Sequence, residues 1–132
     1  MSGVSVIAHL LSQASSITAL VADTSIVSGR LEVGTELPAL SVEQVDGVDE
    51  LTIGGTSGLV RERVSVTVHA KTYVSQKQIM AALRTAIPNQ YGTINGVNVK
   101  SILRDAEGPD EGDDTDLIDF VQSRDFIVNW SE

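Results

Sequence analysis

Four sets of residues in this chain have types and spacings that could do chemistry. They are the run Gly54-Gly55-Thr56-Ser57-Gly58, the acids between Asp105 and Asp116, the histidines His9 and His69, and the arginines Arg61, Arg63 and Arg104. A phosphate-cradling loop needs a following lysine and a helix N-terminus aimed at the anion. Here a strand pattern follows and the lysine is missing, so the glycines read as a flexible turn. The acidic run holds Asp105, Glu107, Asp110, Glu111, Asp113, Asp114 and Asp116 with no base among them. Counted from Asp105 as a calcium loop, Asp110 stands where glycine must make the sharp turn, and Asp116 where a bidentate glutamate must close the shell. The run therefore reads as a solvated loop over residues 105–116. Neither histidine has a helical partner one turn away, and no serine stands in a nucleophile-elbow pattern. Cysteine is absent, which removes disulfides, thiolate metal sites and cysteine nucleophiles. The expectation is a protein that is not an enzyme, with no catalytic, cofactor or metal site.

The elements that would position these residues are legible from periodicity. From Val60 to Ala70 the even positions are Val60, Glu62, Val64, Val66, Val68 and Ala70, and the odd ones Arg61, Arg63, Ser65, Thr67 and His69. That period of two predicts a long half-buried strand with both arginines on its polar face. Ser75-Gln76-Lys77-Gln78 matches a capping box, after which Ile79, Met80, Leu83 and Ile87 fall on one helical face until Pro88. Residues 3–13 predict a helix with a main stripe of Val4, Ile7, Ala8 and Leu11. Val6 and Leu10 lie off that stripe, so this helix is either deeply buried or packs a second face on a neighbour. Short strands are expected at Ile26–Leu31 and Leu40–Val45. A turn is expected at Asp46-Gly47, with a flexible connection or hairpin tip from Asp46 to Gly58. Asn95-Gly96 predicts a tight hairpin, with its second strand reaching Arg104. The closing strand, Leu117–Trp130, has its apolar face interrupted by Gln122 and Arg124; a bulge or an edge position near Ser123 would reconcile the pattern.

Together these predict an α+β fold in one domain, residues 1–132: a mainly antiparallel twisted sheet carrying an N-terminal helix and one long amphipathic helix. A chain of 132 residues, 42% hydrophobic but only 4% aromatic, must pack its core mostly with Val, Ile and Leu. Its net charge of −9 argues against a protein that grips nucleic acid, which needs a basic face. The run Val4–Leu11 is far too short to span a bilayer, so a soluble protein is expected.

In order and spacing, these segments resemble the tail completion, or tail terminator, proteins that join head to tail in long-tailed bacteriophages and prophages. The resemblance runs roughly from Val6 to Trp130. It rests on Gly29-Arg30 followed by Leu37-Pro38, on the unit of strand, Ala70, Tyr73 and helix, and on Asp125-Phe126-x-Val128. One departure is Ser41 after Leu40, where such sequences often enter an aromatic-rich strand directly. The family carries no invariant active-site residue to transfer.

The resemblance implies a virion protein, assembled in the host cytoplasm. Several copies, typically six, would form a homo-oligomeric ring on the head-proximal end of the tail tube. The ring would stop polymerisation and present a docking surface to the head connector. Its partners would be itself, the tail tube protein and the connector, with DNA only as passing cargo and no membrane. The candidate subunit contacts are Arg61, Arg63 and Arg104 meeting Asp110, Asp113 or Asp114 of a neighbour, with Val6 and Leu10 on the first helix. The same arginines could instead be solvated or paired within one subunit. The alternatives are a tail tube or other head–tail joining protein, and a small ligand-binding α/β domain.

Overall fold

The computed structural model describes residues 3–29, 37–52, 55–108, 111–112 and 120–131. The chain opens with helices α1 (Gly3–Gln13) and α2 (Ser15–Thr18), a 3-10 turn at Asp23–Ser25 and strand β1 (Ile26–Ser28). Strands β2 (Ala39–Thr52) and β3 (Gly55–Ala70) follow, then helix α3 (Tyr73–Ala86). The remainder is β4 (Gly92–Ile94), β5 (Val97–Glu107), the short β6 (Glu111–Gly112) and β7 (Phe120–Ser131). The strands make one mixed sheet in the order β1-β2-β3-β7-β5-β4, with β6 beside β7. Among the described residues only the β1–β2 pair is parallel. This is the expected α+β architecture. No helix among the described residues is long and apolar enough to cross a membrane.

The period of two in β3 divides the sheet into a covered and an uncovered face. Val64, Val66, Val68 and Ala70 are fully buried. Register puts Val64 opposite Phe126 and Glu62 opposite Val128, so those side chains share their face. Against it lie Val6, Ile7 and Leu11 of α1, Ile17 of α2, and Ile79, Met80 and Leu83 of α3. Each such aliphatic side chain contributes about 1.5–3 kcal/mol through removal from water. The expected face of α3 is therefore the one that packs.

Several boundaries differ from expectation, each for a tertiary reason. The N-cap of α3 is Thr72, whose hydroxyl accepts from Ser75 N–H at 3.1 Å. Ser75 thus lies inside the helix, and the capping signal begins three residues earlier. Asp46-Gly47 is not a turn. Strand β2 continues through it to Thr52, with register shifts between Gln44 and Asp46 and again between Asp49 and Leu51. Asp and Gly, poor strand formers, are carried by these irregularities and by pairing along nearly all of β3. Thr52 pairs with Gly55, and Gly55–Gly58 opens β3. The Asn95-Gly96 hairpin forms as expected; both residues have positive φ, 49° and 79°, as its tight turn demands. Strand β5 runs past Arg104 to Glu107, so the first residues of the expected acidic loop are strand.

The closing strand is not at an edge. The irregularity expected near Ser123 falls on its β5 side, where the register shifts between the Arg104–Phe126 and Glu107–Arg124 pairs. Its pairing with β3 is continuous from Leu59–Ser131 to Ala70–Phe120, and β5 flanks its other side. Gln122 and Arg124 are polar residues on the covered face. Lys77 Nζ donates to Gln122 Oε1 at 2.8 Å, and Gln122 Nε2 donates to the Gly108 carbonyl at 2.9 Å. Arg124 Nη2 pairs with Glu107 Oε2 at 3.4 Å. Partners from α3 and the end of β5 allow polar groups where an apolar pair was expected.

Candidate assembly surface

No helix packs on the opposite face of the sheet among the described residues, and its centre is Arg63. Strand alternation aims Arg63 outward from β3, and register sets it beside Asp46 of β2 and Ile127 of β7. Its Nη1 donates to Asp105 Oδ2 of β5 and, at 3.2 Å, to Asp125 Oδ2 of β7. Its Nε lies 4.0 Å from Asp46 Oδ2. One guanidinium thereby ties together four strands. The hydrogen bond from Arg63, then the amide of Ala106, holds the Asp105 carboxyl below its usual range. The bonds to Asp105 and Asp125 hold the Arg63 guanidinium above its usual value. Both effects favour the charged forms. All of these groups are partly exposed, so the pairing works in a screened setting.

Of the two readings left open for these arginines, Arg63 takes the second: it is paired within its own chain. Arg61 is exposed on the same face, close enough to Asp105 to help hold its charge. Arg104 does not join them. It is registered opposite Phe126, on the helix-covered side, and borders a recess beside Arg84. Val6 is fully buried in its own core and presents no surface, because both faces of α1 are used within the chain; Leu10 is partly buried against that core. Asp110, Asp113 and Asp114 lie outside the described residues.

The remaining candidates have ordinary surroundings. His69 Nε2 lies 3.3 Å from Ser41 Oγ, a contact between neighbouring strands. His9 is half-buried on α1. No group of three or more metal-ligating side chains occurs among the described residues. Sequence reasoning missed Asp46 and Asp125. Their only signal was that β2 and β7 each carry an acid on the face that β3 lines with arginine, which becomes visible once register is known.

The fold is thus a two-layer α+β one in which Arg63 cross-links four strands. Residues 4–128 match the family described as tail completion protein gp17. The chain belongs to that family, as its resemblance implied, and is a structural protein of a phage tail. Among solved structures, a chain described as "Virion of native gene transfer agent (GTA) particle" has a similar fold. The TM-score is 0.76 over 99% of this chain and 96% of that chain, at 11% identity. Among curated proteins none matches.

Proposed function

We propose that this protein is a non-enzymatic neck component that closes into a ring, of about six copies, on the head-proximal end of the tail tube. The ring stops tube polymerisation and gives the head connector a surface to dock on. The protein is assembled into the virion from the host cytoplasm.

The observation that carries this reading beyond family membership is the unlikeness of the two sheet edges. At one, β1 covers β2 only at Leu40–Val42, so Glu43–Thr52 has no outer strand partner among the described residues. At the other, β4 covers β5 only at Val97–Val99. Two different open edges fit a heterologous, head-to-tail contact, the kind that generates closed rings. Arg61, exposed beside the Arg63 cross-link, is the arginine left for a neighbour on the uncovered face. Asp110, Asp113, Asp114 and the exposed part of Leu10 remain proposed contacts. The net charge of −9 suits a passage through which DNA moves as cargo without adhering.

Light scattering over a wide concentration range, with electron microscopy of the same samples, tests the reading. Single closed rings support it, and filaments of stacked rings would assign the protein to the tube instead. A protein that stays monomeric even when mixed with tail tubes would overturn it.

A further inference from the structure

Between the end of α3 and β5 lies a recess of about 420 Å³ lined by Arg84, Pro88, Asn89, Ile102, Leu103 and Arg104. Its charge runs against that of the chain. Arg84 Nη2 lies 3.6 Å and Arg124 Nη2 3.4 Å from one carboxylate oxygen, Glu107 Oε2. Arg104, exposed on the rim, has no ion-pair or hydrogen-bond partner for its guanidinium among the described residues. Two of the chain's nine Lys and Arg residues thus line the recess with no acid among the described residues of its lining, and Arg84 shares Glu107 with Arg124. Asn89 Oδ1 accepts from Ile102 N–H at 3.1 Å, which turns its NH2 group outward as a further donor. Pro88, exposed just after α3, supplies an apolar wall.

We infer that this recess is a carboxylate-binding site that receives the acidic segment of a second copy of the chain. The inference rests on the self-assembly proposed above. Guanidinium forks, an amide donor and an apolar wall suit the carboxylates of an extended peptide. A nucleic-acid backbone is disfavoured, because the chain as a whole repels phosphate. The acidic segment is the densest run of negative charge in the sequence: Asp110, Glu111, Asp113, Asp114 and Asp116 have no base among them. Within one chain its two described residues are held by β7. Glu111 and Gly112 pair with Val121 and Phe120, whereas Arg104 pairs with Phe126, further along β7. At about 3.4 Å per strand residue, that offset is roughly 20 Å between Phe120 and Phe126. A neighbour's segment meets no such restriction.

The test uses a fluorescent peptide of residues 109–118 and the full-length protein, with binding followed by anisotropy at several salt concentrations. The wild type should bind the peptide, more weakly as salt rises. Arg84→Gln with Arg104→Gln should weaken binding by roughly tenfold without altering the melting temperature, since both side chains are exposed. Glu107→Gln should tighten it, because that change releases the Arg84 guanidinium from its internal competitor; a merely structural role would not give this sign. No binding by wild type, equal binding by the double variant, or stronger binding of an oligonucleotide at the same site would overturn the inference. The ring reading is scored separately by light scattering. Double-variant rings as stable as wild type would sink this inference and leave the ring standing. A wild type that stays monomeric even when mixed with tail tubes, yet binds the peptide, would support the recess and sink the ring.

Discussion

The backbone amide of Val4 donates to Glu62 Oε2 at 3.1 Å across 58 positions of sequence. Glu62 is 3% exposed and occupies a position in β3 whose neighbours on that face are all aliphatic. A carboxylate there would be costly if unpaired. It is instead a cap donated from the sheet to the first turn of α1, where free amides and the positive end of the helix dipole welcome an anion.

Replacing Glu62 by alanine should therefore cost about 1–3 kcal/mol, chiefly through α1. Gly3→Ala should act on the same contact, because an added Cβ would lie 2.5 Å from Glu62 Oε2 and 3.1 Å from Val64 Cγ2. Urea denaturation of the two single variants and the double variant measures this. Fully additive effects would show that the two changes do not share the cap.

The N-terminus of α3 offers a direct choice between two hydroxyls. Thr72→Ala should lower stability by about 1 kcal/mol, while Ser75→Ala should change it little, since Ser75 supplies only its backbone amide to the cap. The reverse ranking in thermal melts would return the cap to Ser75.

Gln76 is fully buried on α3, and neither side-chain polar atom meets a hydrogen-bond partner among the described residues. Gln76→Met keeps the shape and removes the polar ends. It should raise stability by roughly 1–3 kcal/mol, visible as a higher urea midpoint with an unchanged slope. A loss of stability would mean that the amide is satisfied in solution.

Asp105 should leave a signature in acid. Its folded-state value is depressed below the ordinary 3.8 by Arg63, so the unfolded chain takes up that proton first. The stabilisation is present above that ordinary value and fades as pH falls through the folded one. Asp105→Asn should lower stability at neutral pH and flatten the decline below about pH 4. Urea midpoints measured from pH 7 to pH 2 give the comparison, and an acid limb as steep as that of wild type would rule this out.

How much of this was readable in advance depended on how local each signal is. The alternation of Val64, Val66 and Val68, the apolar face from Ile79 to Ile87, and the Asn95-Gly96 turn are carried by neighbouring residues, and all form as expected. Asp46-Gly47 looked like a turn because its propensity opposes a strand, and pairing with β3 overrides it. Gln122 and Arg124 looked like a defect because their partners, Lys77 and Glu107, come from other elements. The Arg63 cross-link draws on four strands, so its acids could be counted but not assigned. Arg84 and Arg104 sit on a helix and a strand with no common periodicity, and nothing local marks them as a pair.

The place of β7 in the sheet has a consequence for how the protein is made. It follows every other strand in sequence yet lies between β3 and β5. As the polypeptide leaves the ribosome, the β1-β2-β3 ladder and the β4-β5 hairpin can form, but they share no strand pairing until residues 120–131 emerge. Completion of the sheet is thus withheld until translation has reached that segment, and the long-range pairings involved make it a slow step. A nascent chain halted earlier would expose β3 and β5 as two sticky edges. Sequence order thus makes completion of the described sheet depend on the synthesis of β7.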